Sequence, residues 1–178
     1  SGAVPPPAIE TLEAMTRALR HRGPDEFGVY RDGRCGLAHS RLSIVDLSSG
    51  QQPLANEDHT LWVSFNGEIF NFIELRRELE ALGHTFRTKS DTEVIVHAYE
   101  AWGEQAFERF NGQWAVALWD EKTKTLVLTR DRLGVRPLYY AEVQGKVVFG
   151  SEVKALFTGA PELSKALDPV GLKETFTF

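Results

Sequence analysis

An alternating run that ends in Asn-Gly constrains the fold of this chain more than any other feature. Leu61, Val63 and Phe65 share one face of residues 61–65, as a half-buried strand requires. The strand is predicted to stop at Asn66-Gly67, because both residues tolerate positive φ and usually form a turn. An oxyanion hole is the second interpretation: a glycine amide and an asparagine side-chain amide can converge on one oxygen. The local pattern leaves both interpretations open.

Composition limits the classes of protein to which the chain can belong. It has 178 residues, 42% hydrophobic and 25% charged, which is enough for one buried core and one domain. The net charge is -5 with acids and bases interspersed, so neither nucleic acid nor a membrane surface is an expected partner. The apolar runs are too short to span a bilayer, and residues 1–7 do not resemble a signal peptide.

Cysteine and histidine usage gives no catalytic or metal-binding pattern. Cys35 is the single cysteine, so a disulfide framework is excluded and a reducing, cytoplasmic location is expected. On a strand, Cys35 and His39 share a face but stand ~13 Å apart, too far for a Cys–His pair. Cys35 is therefore predicted to be a small core residue. The five histidines show no zinc spacing, and no metal site is expected.

The remaining periodicity predicts an α+β fold with antiparallel sheets. Helical patterns cover residues 9–19, 74–82, 91–102, 105–110 and 151–157, and a further helix is signalled at Asp168-Pro169 without room to form. Strand patterns pair as hairpins across Asp32-Gly33, residues 121–124 and Gln144-Gly145, and one strand continues from Arg41 to residue 45. Ser90 and Glu93 have the spacing of a capping box.

Five residues have the chemistry of an amino-acid recognition site. Arg41 could hold an α-carboxylate in fork geometry, Glu68 or Asp91 an α-ammonium, and Asn66 with Gly67 an oxygen. Asp91 also has a simpler explanation, because a carboxylate is favoured at a helix N-terminus. Local sequence does not establish that these groups converge.

Several segments, in order along nearly the whole chain, closely resemble the glutaminase domain of glutamine-hydrolysing asparagine synthetase, a class II glutamine amidotransferase. Amidophosphoribosyltransferase and glucosamine-6-phosphate synthase share the fold, but SRLSIVDLSSGQQPL, GSEVKAL and the ending LDPVGLKETFTF are most similar to asparagine synthetase. The segments are HRGPDEFG, LAHSRLSIVDLSSGQQPL, FNGEIFNFIELRRELEALGHTFRTKSDTEV, FNGQWAVALWD, RDRLGVRPLYY and GSEVKAL.

The resemblance implies a four-layer αββα sandwich of two antiparallel sheets, the N-terminal-nucleophile hydrolase fold. It implies an amidotransferase domain over residues 1–162, followed by a linker and the start of a synthetase domain over residues 163–178. In the family, an N-terminal cysteine attacks the side-chain amide of L-glutamine and its α-amine handles the proton. The ammonia crosses a tunnel to the synthetase domain, a ligase that uses aspartate, ATP and Mg to make asparagine. The glutaminase domain itself needs no cofactor.

The resemblance also assigns roles to individual residues. Arg41 resembles the arginine on the glutamine carboxylate, with Leu42 and Ile44 as pocket neighbours. Asn66 and Gly67 resemble the oxyanion hole. Glu68 and Asp91 resemble the residues that hold the glutamine amino group, and Arg22 and Asp25 resemble a structural motif at the pocket edge.

The beginning of the chain departs from the family pattern. The family begins with Cys-Gly-Ile and a first strand, whereas this chain begins with Ser1-Gly2-Ala3. The first strand and the nucleophile are therefore expected to be missing, and the chain as given to be inactive alone. Two alternatives stay open: a non-catalytic glutamine-binding or scaffolding relative, and a β-sandwich interaction domain in which Asn66-Gly67 is only a turn. A homodimer is left open as well.

Overall fold

The computed structural model describes residues 7–23, 26–41 and 51–175, with only the backbone given for Glu26, Arg41 and Thr175. The helices are α1 (Ile9–Ala18), α2 (Phe72–Ala81), α3 (Asp91–Trp102), α4 (Ala106–Arg109), α5 (Val153–Gly159) and α6 (Pro169–Thr175), with 3₁₀ turns at Arg20–Arg22 and Gly103–Gln105. The strands are β1 (Glu26–Arg31), β2 (Gly36–Arg41), β3 (Leu54–Ala55), β4 (Leu61–Ile69), β5 (Gly112–Asp120), β6 (Thr125–Arg130), β7 (Tyr139–Val143) and β8 (Lys146–Gly150).

The centre of the fold is an antiparallel sheet in the order β3-β4-β5-β6. Strands β4 and β5 pair along nine residues, from Leu61 opposite Asp120 to Ile69 opposite Gly112. The alternation predicted for β4 is confirmed, since Leu61, Val63 and Phe65 are buried in the main core with residues of α2 and α3. One face of the sheet thus packs on helices.

The opposite face of the sheet packs on two separate hairpins. Cys35 and Leu37 from the β1–β2 hairpin form a second buried cluster with Ala117 and Trp119 of β5, and Phe149 of β8 packs against it. Helices α1 and α5 contact each other and cover the outer sides of β2 and β8. The layers therefore run helix, sheet, hairpins, helix, which confirms the α+β αββα prediction. Among the described residues the second β layer consists of two two-stranded sheets, β1-β2 and β7-β8.

The predicted hairpin turns are confirmed, and the β1–β2 turn is organised by one carboxylate. Asp32 Oδ1 accepts hydrogen bonds from the backbone N–H groups of Arg34 and Cys35, both at 2.6 Å. Its Oδ2 accepts from the indole Nε1 of Trp119 at 2.8 Å. Asp32 thereby fixes both the turn and its position on the central sheet.

The capping box predicted for α3 is wrong in one half. The Ser90 hydroxyl does accept from the N–H of Thr92 at 3.1 Å, as a cap should. Glu93, however, turns away from Ser90 and accepts from the N–H groups of Arg87 and Thr88 at 2.8 and 2.7 Å. The backbone of the loop before α3 competes with the helix start for the Glu93 carboxylate, and residue spacing alone does not reveal this.

Other differences concern element ends. The helix beginning at Pro169 does form, contrary to the prediction that it lacks room, while the extension of β2 through residue 45 lies outside the described residues. Helix α4 is shorter than predicted, and α2 begins two residues earlier. Within the three described ranges, no helix is both long enough and apolar enough to cross a membrane.

Candidate active site

A cavity of about 1260 Å³ lies between the central sheet and the second β layer. Both hairpins and α1 contribute to its walls, and Ala115 and Ala117 of β5 contribute small side chains to its lining. Asn66, Gly67 and Asp91 also line it. The fold therefore brings three of the predicted site residues to the walls of one cavity.

The Asn66-Gly67 pair does not form a turn, and that prediction is wrong. Strand β4 continues through both residues, with Asn66 opposite Ala115 and Gly67 opposite Trp114. Gly67 has φ 149°, and a Cβ there would run into the backbone of Gln113 and lie 2.7 Å from Trp114 Cα. Glycine is required because the paired strand approaches too closely for a side chain.

Asn66 carries an unusual buried group. Its side-chain Nδ2 is fully buried and has no hydrogen-bond partner among the described residues. Buried amide groups are nearly always paired, because an unpaired donor costs about 1–3 kcal/mol. Asn66 lines the cavity, so this unpaired donor lies in the cavity wall.

Asp91 occupies the first position of α3 and ties that helix to the end of β4. Its Oδ2 accepts from the backbone N–H of Ile69 at 3.1 Å. Burial raises the pKa of Asp91 above its ordinary value, and the nearby negative charge of Glu68 raises it further, while backbone N–H donors oppose both effects only in part. The simple helix-terminus role is therefore incomplete, because burial disfavours the charged carboxylate more than its backbone donors favour it.

The structure gives less support for a role of the other predicted site residues in the cavity. Glu68 lies on β4 opposite Gln113 and its side chain is exposed, outside the cavity lining. The backbone of Arg41 pairs with Glu26 at the end of β2. Leu42, Ile44 and Asp25 lie outside the described residues.

Arg22 lines the cavity and forms an ion pair with a residue far along the chain. Its guanidinium contacts Glu152 at 3.4 Å, and His21 contacts the same carboxylate at 2.8 Å. Glu152 precedes α5, so this cluster joins the end of α1 to the start of α5.

Cys35 is not suited to act as a nucleophile. Its side chain is buried, and burial together with the charge of Asp32 raises the pKa of the thiol to about 12. Thiolate is the reactive form, so almost none is present at neutral pH. His39 is directed to the Ser64 hydroxyl at 3.1 Å. The predicted structural role of Cys35 agrees with this environment.

Two further residues of the cavity lining were not predicted from the sequence as site residues. Gln52 Oε1 accepts from the N–H of Phe65 at 2.6 Å, so this side chain braces β4 just before Asn66. Arg136 lines the cavity with a buried Nε that has no partner. No local signal identifies Gln52, because its partner lies 13 residues away.

The position of Arg136 depends on Asp131. The Asp131 carboxylate accepts from the N–H groups of Leu133, Val135 and Arg136 at 3.0–3.2 Å, and from Trp114 at 3.1 Å. Burial acts to raise the pKa of Asp131, but these four donors outweigh it and lower the pKa. An Asp that accepts from the residue two positions on is a common turn signal, and it could have predicted this loop.

Comparisons with known proteins agree with the geometry. Residues 3–178 match the family model described as a glutamine amidotransferase domain. The chain is 41% identical over 169 residues to asparagine synthetase [glutamine-hydrolyzing] 1 of Bacillus subtilis, covering 95% of this chain and 26% of that protein. It is 48% identical over 149 residues to asparagine synthetase [glutamine-hydrolyzing] of Sandersonia aurantiaca, covering 83% and 28%. The chain thus spans about a quarter of the length of these relatives.

A solved structure supports the fold independently. Glutamine phosphoribosylpyrophosphate amidotransferase from B. subtilis superposes with a TM-score of 0.67 at 23% identity, over 84% of this chain and 40% of that chain. This likeness confirms the N-terminal-nucleophile hydrolase fold predicted from the sequence. With the family match over residues 3–178, it follows that the chain belongs to the glutamine amidotransferase domain family.

Proposed function

We propose that this chain is the glutamine-hydrolysing domain of an asparagine-synthetase-type enzyme. In the proposed reaction a thiolate attacks the side-chain amide carbon of L-glutamine, ammonia leaves, and water then hydrolyses the thioester to glutamate. The family's N-terminal cysteine would supply the thiol, since the environment of Cys35 keeps it protonated. In the family this cysteine lies on a first strand, and we place that strand beside the cavity that both hairpins line.

The unpartnered Nδ2 of Asn66 carries the proposal. A donor without a ground-state partner is ready to bond the oxygen that becomes negative in the tetrahedral intermediate, with the Gly67 amide as second donor. Such preorganised donors act strongly in a site from which water is largely excluded. An oxyanion hole accounts for a feature that would otherwise only destabilise the fold.

Asp91 supports the choice of an amino acid as substrate. Its raised pKa reflects a carboxylate that burial and Glu68 disfavour. An α-ammonium group placed between Asp91 and Glu68 would relieve both effects. In this scheme Arg41 binds the α-carboxylate, with Leu42 and Ile44 beside the substrate.

The destination of the ammonia belongs to the same proposal. A synthetase domain in the same chain would use it to amidate aspartate or a related carboxylate, with ATP and Mg²⁺ as reactants there. The names of the relatives and the short span of the match favour this arrangement. No step in the domain described here uses ATP or Mg²⁺.

The test is glutamine hydrolysis by the full-length natural enzyme and by its Asn66→Ala variant. Loss of one oxyanion donor should lower kcat by about 10²–10³, with a much smaller change in KM. Asn111→Ala, an exposed asparagine just before β5, serves as the matched control and should retain full activity. Unchanged kcat in Asn66→Ala would refute the oxyanion role, and glutamine binding without any hydrolysis by the natural enzyme would favour the non-catalytic alternative.

A further inference from the structure

Two carboxylates and one imidazole cluster beside α3, and none of the three residues lines the cavity. Glu93 and His97 stand four residues apart and therefore on the same helical face. Glu57 lies in the turn between β3 and β4, and its carboxylate is 3.5 Å from Nε2 of His97. Donor atoms of Glu57, Glu93 and His97 all lie within 4.8 Å of one another.

His97 provides the independent sign of a ligand. Its side chain is only 1% exposed, and within the described ranges no atom forms a hydrogen bond with its buried Nε2. The oxygen atoms facing Nε2 are those of Glu57 at 3.5 Å and Glu93 at 3.9 Å. Both distances exceed that of a good hydrogen bond, so Nε2 points into the cluster without being satisfied by it.

The other ring nitrogen fixes the orientation and the tautomer. Nδ1 of His97 lies 2.9 Å from Glu100 Oε2, and a carboxylate can only accept, so Nδ1 carries the proton. Nε2 is then the ring nitrogen that faces Glu57 and Glu93, and its lone pair can bind a metal once the proton there is displaced. A carboxylate behind one nitrogen and a metal at the other is the usual arrangement around a metal-bound histidine. Glu100 is itself held by the Asn56 side chain at 2.8 Å.

Glu93 is held as firmly as His97. Its oxygens accept from the N–H of Arg87 at 2.8 Å and from the N–H and hydroxyl of Thr88 at 2.7 and 2.6 Å. The side chain is only 2% exposed. A buried carboxylate fixed in this way is preorganised to bind a cation, whereas Glu57, half exposed, can adjust.

We propose that Glu57, Glu93 and His97 form a divalent transition-metal site, for which Zn²⁺ is the fitting probe. Two ligand atoms that are each 2.0–2.2 Å from a tetrahedral zinc stand about 3.4 Å apart. The separations of 3.5 and 3.9 Å from Nε2 are close to this value. Small side-chain movements would therefore bring the ligand atoms to zinc-binding distances. Water would take the fourth position.

Such a site would have a structural role. Glu57 belongs to the turn before β4, and Glu93 and His97 to the first two turns of α3. A metal would therefore tie α3, which begins at Asp91, to the central sheet. The proposal does not depend on glutamine hydrolysis, and its failure would leave the proposed function intact.

The test uses this chain without an affinity tag, stripped with chelator and titrated with Zn²⁺. We expect saturable 1:1 binding, a Tm that rises with the logarithm of free Zn²⁺, and a zinc-induced shift of the His97 Nε2 resonance in ¹⁵N NMR. Glu57→Gln should weaken the affinity at least about 10-fold, since it removes a charged ligand at an adaptable, half-exposed position.

Asp58→Asn is the matched control, because this neighbouring carboxylate pairs with Lys122 at 2.8 Å instead of facing His97. It should leave the zinc affinity unchanged. The proposal is overturned if no saturable binding occurs, if Glu57→Gln binds as tightly as the wild type, or if zinc leaves the Nε2 resonance in place.

Discussion

Replacing Asn66 by alanine should make the protein more stable while strongly lowering its kcat. The Nδ2 of Asn66 is buried without a partner, and such a donor costs about 1–3 kcal/mol of folding free energy. Truncation removes that penalty. It also removes side-chain packing worth about 0.8 kcal/mol, taking one methylene-sized group as the apolar loss. Because Asn66 already faces a cavity, no new void opens in a close-packed core.

The difference between these terms predicts a gain of about 1 kcal/mol in the free energy of unfolding. For a domain of this size that corresponds to a rise of about 2–4 °C in Tm. Urea unfolding and calorimetry measure the two quantities. Together with the expected loss in kcat, the result would identify a donor kept for the reaction at the expense of stability.

Asn71→Ala is the control variant for this prediction. Both polar atoms of Asn71 are bonded, Nδ2 to the carbonyl of Arg109 at 3.0 Å and Oδ1 to the N–H of Asn111 at 2.9 Å. Its truncation should cost about 1–2 kcal/mol. Destabilisation of Asn66→Ala by a similar amount would refute the reasoning, because Asn66 would then have a partner in the folded protein.

Four other predictions follow from the site. Asp91→Asn should raise KM for glutamine about 10-fold or more in the full-length enzyme, through loss of a charge-assisted hydrogen bond, whereas an unchanged KM would contradict ammonium binding. Because the folded-state pKa of Asp91 is raised, protonated Asp91 stabilises the fold below about pH 4, and this stabilisation is lost as pH rises through that pKa. The stability of Asp91→Asn relative to wild type should therefore increase with pH, as measured by urea unfolding between pH 4 and 7. Gly67→Ala should destabilise by about 2–4 kcal/mol, since its Cβ meets the β5 backbone at φ 149°, and a calorimetric loss below 1 kcal/mol would contradict that close approach. Cys35 should react with iodoacetamide far more slowly in the folded chain than in urea at pH 8, and equal mass-spectrometric labelling rates would count against its buried, protonated state.

The sequence predicted elements well wherever the determining contacts are local. The turns at Asp32-Gly33 and Gln144-Gly145 are confirmed, and residues 144 and 145 have the positive φ values, 50° and 74°, that such a turn requires. Amphipathic spacing likewise located α2 and α3. In these segments, turn chemistry and periodicity act within a few residues.

Prediction failed where a distant strand or loop decides the outcome. Asn66-Gly67 has the local chemistry of a turn, but pairing with residues 114 and 115 of β5 keeps it extended. The carboxylate of Glu93 is taken by Arg87 and Thr88 in place of the helix start. Even so, the resemblance to a known family pointed to Asn66, Gly67 and Asp91. The fold places all three of these residues in the lining of one cavity. Gln52 and Arg136 remained hidden because no local pattern links them to that space.

The division of the second β layer into two hairpins has a consequence for handling the protein. A two-stranded ribbon is only marginally stable by itself, and its unpaired edges are templates for strands from other molecules. Among the described residues, β1-β2 and β7-β8 each pair only internally. Each ribbon is held by its packing on the central sheet and on α1 or α5, so conditions that loosen this packing would expose strand edges to association with other molecules.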